Sequence, residues 1–482
     1  MLKRILVCTL LVGLITSLLG TSAANQVYDV VIVNGRVIDP ESRLDAVRNV
    51  GISGGTIKAI TTAKLSGRAV VDAKGLVVSP GFIDLHQHGQ DDENNRFKAM
   101  DGVTTALELE VGTGDVDRWY DERQGKALIN YGVSVGHLAA RMAAMRDPVE
   151  FVPSGQAARR AATDSEIAEM KMQLERGLQR GAIAVGFGIQ YVPHASHWEI
   201  LEMFRVASRF GASCHVHLRN AGMKEPASST QALEEVIAAA AITGAPLHVV
   251  HVQSTGGKNT PRLLQIIGEA RDRKLDVTTE CYPYIAGMTD IKSAIFNEGW
   301  QEVFGIDYGD LQWAATGERL TKETFERYRK TGGMVAVFSM TEEIVETAVA
   351  SPLTMIASDG ILNNGKGHPR TAGTYTRVLG RYVRERRALS LIDALRKMTL
   401  MPAQRLEQRV PSMKNKGRVR VGADADLVVV DPARVIDKST YEQPAQYAEG
   451  ITHVLVNGVV IIKNGELQTG TYPGRAVRAP FK

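Results

Sequence analysis

The sequence predicts an α/β protein: a (β/α)8 barrel of TIM type with a small discontinuous β-sandwich domain built from both termini. Three observations predict it. The 482 residues suit one large barrel with a satellite domain better than one small domain. Between residues 81 and 409, apolar strand-like runs alternate with amphipathic helical stretches, as in parallel α/β architectures. Near the start, Val31-Ile-Val-Asn34-Gly35 is echoed near the end by Val454-Leu-Val-Asn457-Gly458, which assigns both ends to one β-rich unit.

In chain order, residues 1–24 read as a signal peptide. Lys3 and Arg4 precede an apolar run over 5–19, followed by the small residues Thr21-Ser22-Ala23-Ala24. That run is shorter than the roughly 20 apolar residues of a spanning helix, which favours cleavage over a stable membrane anchor. A periplasmic or secreted protein is the expectation. Residues 25–80 and 410–476 form the expected sandwich, where short apolar runs are broken by Asn-Gly and Gly-Gly turns.

Residues 81–409 form the expected barrel. Its candidate strands cover 81–85, 103–110, 133–138, 183–188, 212–218, 247–252, 277–281 and 354–357. Candidate helices at 165–180, 230–243 and 261–273 show apolar residues at three- and four-residue spacing. From about 287 to 351 a long polar and aromatic stretch stands where one helix is expected. An insertion of this length beside the strand ends reads as a lid or substrate-selecting subdomain.

Composition narrows the function. With 44% hydrophobic and 23% charged residues the chain can build a sizeable core. A formal charge of +4 without a clustered basic stripe gives no reason to expect a nucleic-acid partner. Beyond the leader only Cys214 and Cys281 remain, too few for a disulfide framework, so buried free thiols are expected and a single bridge is left open.

The chemistry rests on histidines at strand ends. His86 and His88 follow the first candidate strand, and side chains two apart in a strand share a face, so both imidazoles can reach one cation. His215 and His217 end another run, and His251 ends Leu247-His-Val-Val-His251. Asp359 closes Met355-Ile-Ala-Ser-Asp359. Nitrogen donors and a carboxylate gathered around one mouth suit zinc. His215 and His248, each beside a better-placed partner, read as hydrogen-bonded core residues.

These motifs make the chain resemble the amidohydrolase superfamily, and within it the D-aminoacylase (N-acyl-D-amino-acid deacylase) family. The resemblance runs through Ser79-Pro-Gly-Phe-Ile-Asp-Leu-His86, Gly102-Val-Thr-Thr105, Glu280-Cys-Tyr282-Pro-Tyr284, Ser358-Asp-Gly360, His368-Pro-Arg370 and Ala423-Asp-Ala-Asp-Leu-Val-Val-Val-Asp431. It implies one or two zinc ions and hydrolysis of a small N-acyl amino acid or a peptide-like amide. His86 and His88 would hold one metal position and His217 and His251 the other. Asp359 would be the general base that takes a proton from water and returns it to the leaving amine.

Departures from the family pattern matter. Where the family carries a bridging cysteine, this chain reads Ala106-Leu-Glu108-Leu-Glu110, so Glu108 or Glu110 becomes a candidate ligand; in a regular strand both face the same way. Tyr191 and Tyr282 match family substrate contacts, whereas Gln253 and Met288 stand where a lysine and a serine would grip a carboxylate. His137, Arg219, His368 and Arg370 are further polar candidates near strand ends. The run 182–191 contains no lysine to be carboxylated, which argues against cyclic-amide hydrolases. Alternatives are a dipeptidase or amidase on peptide-like or xenobiotic amides and a non-catalytic metal-binding protein, the latter disfavoured by Asp359.

Overall fold

The computed structural model describes residues 27–148 and 150–482; the expected leader lies outside them. Among the described residues no helix is long and apolar enough to cross a membrane. Eight parallel strands form one sheet in chain order: Phe82–Asp84, Val103–Thr113, Asn130–Gly136, Val185–Gly188, Cys214–His217, Leu247–Val249, Val277–Cys281 and Thr354–Ile356. Helices pack outside, as buried two-faced parallel strands require. The helix Asp164–Gln179 starts with a capping box between Thr163 and Glu166. It buries Ile167, Met170, Leu174 and Leu178 at three- and four-residue spacing against the strands.

No regular ladder joins the first and eighth barrel strands. The barrel closes through a few backbone bonds at their outer ends: Asp359 N donates to His86 O at 2.7 Å, and His88 N donates to Gly360 O at 3.0 Å. Asp84 reinforces this seam, accepting from Ser358 N at 3.0 Å and pairing with the buried Lys98 at 2.8 Å.

Both termini contribute to one nine-stranded sheet. Val27–Asp39, Leu44–Ser53 and Thr56–Thr61 lie on one limb, and Leu427–Val430, Ile451–Val456 and Val459–Lys463 on the other, joined through Val77–Pro80. The sheet curls until its two limbs meet, with Thr56 bridging to Asp424, and Val37, Ile52, Leu427 and Leu455 share one core.

The insertion folds as a three-stranded antiparallel sheet, Gly287–Asp290, Leu311–Trp313 and Met334–Val337, with its own core around Phe296, Trp300, Trp313 and Phe325. The expected outer helix follows as Glu342–Ala350. Cys214 and Cys281 are buried and free.

Two of the strand ends that differ from expectation bear on the site. The third strand stops at Gly136, and His137 opens the helix His137–Ala144 instead of ending a strand. Its imidazole donates to Glu199 at 2.7 Å, and Glu199 also pairs with Arg141, all three side chains fully buried. His137 is thus a structural residue remote from the strand-end histidines. Removing one partner from a buried ion pair leaves the other charge uncompensated. Glu199→Gln is therefore expected to destabilise the fold by about 3–5 kcal/mol in urea unfolding, with the zinc content of the folded fraction unchanged. The sixth strand likewise ends early, at Val249, because His251 turns into a left-handed conformation (φ 29°) before the short helix Val252–Gly256.

Candidate metal centre

Six of the expected residues converge at the C-terminal mouth of the barrel. His86, His88, Glu110 and Asp359 form one cluster and Glu110, His217 and His251 a second; within each, potential ligand atoms lie within 4.8 Å of one another. Glu110 belongs to both. Its Oε2 is 2.8 Å from His86 Nε2 and 3.2 Å from His88 Nε2. Its Oε1 is 2.8 Å from His217 Nδ1 and 3.6 Å from His251 Nε2.

Glu108, expected as the alternative to Glu110, lies outside both clusters. Strand alternation fails here: the register jumps from Glu108 opposite Val133 to Thr113 opposite Val135, so residues 109–112 bulge toward the barrel axis. Gly136 and Gly186 make room, since a side chain at either would run into the backbone of Val111 or of Leu109 and Glu110. The bulge delivers Glu110 to the centre. Glu108 stays behind, where Oε1 accepts from Val111 N at 3.0 Å and Oε2 accepts from His88 Nδ1 at 2.6 Å.

His86 Nδ1 donates to Glu280 Oε1 at 2.6 Å, and Glu280 Oε2 accepts from His248 Nε2 at 2.9 Å. The rings of His248 and His215 lie 4.6 Å apart inside the barrel at a 36° tilt, bonded to Thr278 and Ser213, and burial holds both imidazoles below their ordinary values. Both are core residues, as expected.

Asp359 adopts φ 53°, a left-handed conformation that costs a non-glycine residue free energy and is typical of functional positions. Its Oδ1 lies 3.1 Å from His88 Nε2 and 3.5 Å from His86 Nε2, and its Oδ2 is 2.9 Å from the Arg370 guanidinium. Burial pushes the Asp359 carboxyl up, but its charged neighbours, the Arg370 guanidinium foremost, outweigh this and hold it below the ordinary carboxylate range.

The donor set fits a metal cation. In the neutral form that a metal ion requires, His86 and His88 would keep their ring protons on Nδ1 against Glu280 and Glu108, and their Nε2 lone pairs would face each other at 3.2 Å. Two such lone pairs beside Glu110 and Asp359 repel unless a positive charge lies between them. Two imidazoles and two carboxylates are a zinc-type first position, and the shared carboxylate with two further imidazoles offers a second.

A cavity opens over these clusters and is roofed by the insertion through Met288, Ile295, Phe304, Met334 and Val337. Tyr191 and Met288 line it as expected. Gln253 and Tyr282 do not: Gln253 donates to Tyr282 O at 3.1 Å, and the Tyr282 ring lies 4.6 Å beneath Arg370, so both support the wall from behind. In place of the family's lysine at position 253, the cavity is lined by Arg370, which is 1% exposed, pairs with Asp359 through Nη1 at 2.9 Å and keeps Nε free of hydrogen bonds. His368 holds it, accepting from Arg370 N at 3.0 Å and donating to Ala286 O at 2.9 Å. Arg219 is spent on Glu235 at 2.7 Å.

Sequence reasoning missed Glu280 and Gln190, whose Oε1 lies 2.7 Å from His217 Nε2. Glu280 carried a signal: a lone charge in the otherwise uncharged strand Val277–Cys281 has to meet a partner inside the barrel. Gln190 follows the fourth strand in a 3-10 turn, where no pattern marks it.

Comparison with known proteins agrees with this architecture. A family model described as the amidohydrolase family matches residues 69–462. D-aminoacylase of Alcaligenes xylosoxydans xylosoxydans is 31% identical over 94% of this chain and 98% of its own length. N-acyl-D-glutamate deacylase of the same organism is 31% identical over 93% of this chain and 96% of its own. The crystal structure of N-acyl-D-glutamate deacylase from Bordetella bronchiseptica, complexed with zinc and a phosphonate mimic of the tetrahedral intermediate, superposes with a TM-score of 0.81 at 28% identity, covering 94% of this chain and 100% of that one.

Proposed function

Because this chain belongs to the amidohydrolase family, we propose that it is a zinc-dependent N-acyl-D-amino-acid deacylase in which Glu110 takes the bridging position between two metal sites. The observation that carries this reading is the single carboxylate of Glu110 touching all four strand-end histidines. Zinc held by such donors lowers the pKa of water to about 7 and polarises a carbonyl.

The chain's own residues supply the remainder. Asp359, ionised and fixed at the rim of the His86/His88 cluster, takes the proton of the attacking water and passes it to the leaving nitrogen. Arg370 fixes the second Asp359 oxygen through Nη1, and as a cation lining the cavity it can attract a substrate carboxylate. The roof from the insertion excludes bulk water. The leader motif at residues 1–24 supports placing this activity in the periplasm or outside the cell.

Apart from the histidines, Arg370 is the one cation lining the cavity among the described residues, and the roof is apolar. An amino acid with an apolar side chain leaves no charge unpaired there, whereas a side-chain carboxylate meets no second cation. The deciding experiment incubates the zinc-loaded protein with N-acetyl-D- and L-amino acids, peptide-like amides and a lactone, and measures released amine or acid. N-acyl-D-methionine and N-acyl-D-leucine should exceed N-acyl-D-glutamate by about a hundredfold or more in kcat/KM. Rapid lactone cleavage with no amide hydrolysis would overturn the proposed reaction.

A further inference from the structure

The floor of the barrel, at the N-terminal ends of its strands, carries a polar cavity of about 200 Å³. Asp276 and Thr278, at the start of the strand Val277–Cys281, belong to its wall, whereas the metal centre lies at the other end of the strands. Three arginines and a single carboxylate line it: Arg271, Arg396, Arg405 and Asp276, with Gln404 and Gln408 adding neutral amides. Each arginine stands in the last turn of its helix, Thr260–Asp272, Leu391–Met398 and Leu400–Leu406. A cation there is ordinary by itself, because it meets the negative end of the helix dipole. Three helices delivering theirs to one cavity is not, since guanidinium groups gathered without matching carboxylates repel one another.

The charges do not balance. Asp276 is spent on Arg405, with Oδ1 2.6 Å from Nη1 and Oδ2 2.9 Å from Nη2. Among the described residues, no carboxylate pairs with Arg271 or Arg396, and the side-chain contact of Arg396 is with Met401 Sδ at 3.3 Å. Arg405 is built into the wall: its side chain is 6% exposed, and its Nη1 also lies 3.5 Å from Thr278 Oγ1. Thr278 Oγ1 is in turn 2.8 Å from His248 Nδ1 in the barrel interior. Arg405 Nε is buried without a hydrogen-bond partner. A fixed cation with an unused donor, beside two cations with no carboxylate, is short of acceptors.

We propose that this cavity is a binding site for a small phosphate-class oxyanion, separate from the metal centre. Arg271 and Arg396 close on the ion from the exposed rim, and Arg405 supplies a fixed positive charge in the wall. Guanidinium forks match the spacing of two oxygens on such an ion, and the ion relieves the repulsion among the three cations. The site does not depend on the reaction at the barrel mouth.

The test is isothermal titration calorimetry of the zinc-loaded protein with inorganic phosphate and with glycerol phosphate, at one chloride concentration so that screening is constant. Wild-type protein should show saturable binding. Arg271→Gln and Arg396→Gln should each weaken it by roughly tenfold or more, the loss expected for a hydrogen bond to a charged group, and the double variant should abolish it. Both side chains are exposed and lack a carboxylate partner, so the variants should keep the fold, which circular dichroism checks. Phosphate held by zinc at the barrel mouth would persist in the double variant, and the difference between the two proteins isolates the floor. Variant-sensitive binding of inorganic phosphate alone would assign a free ion, and of glycerol phosphate as well an esterified one. Equal affinity of wild type and double variant for both ligands would overturn the proposal.

Discussion

Asp359→Asn should reduce kcat by about 10²–10⁴-fold, the range set by loss of a general acid–base group, while the zinc-titration curve shifts little. Asparagine keeps the shape of the side chain and an oxygen toward His86 and His88, and His86, His88 and Glu110 remain as ligands. What disappears is the ability to carry a proton between water and the leaving nitrogen. Stopped assays on N-acyl-D-amino acids combined with metal analysis separate the two effects. Full activity in the variant would remove Asp359 from the chemistry. Its loss of turnover with zinc retained would also exclude a purely structural metal site, because such a site has no turnover to lose.

Glu110→Gln is the second large effect. Its carboxylate faces His86, His88, His217 and His251 at 2.8–3.6 Å, so neutralising it removes a charge from both metal positions at once. Activity is expected to fall by about 10³-fold, comparable to losing one preorganised electrostatic partner at a reacting centre, and zinc should bind more weakly at both positions. Glu108→Gln makes the contrast: with His88 as its single imidazole contact, it should disturb one position only. Equal behaviour of the two variants would show that the bulge at 109–112 does not distinguish them.

Much of this site was legible in the sequence because strand ends are easy to read. Apolar runs ending in His86, His217 and His251 locate the barrel mouth, and the twin Asn-Gly motifs foretell that the termini share a sheet. The choice between Glu108 and Glu110 was not legible. Two-residue alternation puts both on one face, and the bulge that separates them depends on glycines at 136 and 186, in strands distant in sequence. Arg370 shows the same limit from another side. Arg370 was among the polar candidates, yet the change to glutamine at 253 read as a lost cation, because nothing local shows that the turn at His368 brings this guanidinium, and not that of Arg219, to the cavity wall. Glu280 entered only as the first residue of the motif Glu280-Cys-Tyr282-Pro-Tyr284 with no role assigned, since its partner His86 lies 194 residues away along the chain.

The seam between the first and eighth barrel strands carries one more consequence. The backbone that closes the cylinder, from His86 to His88 on one side and from Asp359 to Gly360 on the other, is the same backbone that bears three of the four donors of the carboxylate-backed cluster. A cation there acts as a clasp across the last gap in the wall. Demetallation should therefore loosen the scaffold at the one junction of the wall that no regular ladder spans, and resistance to heat should rise with free zinc by mass action.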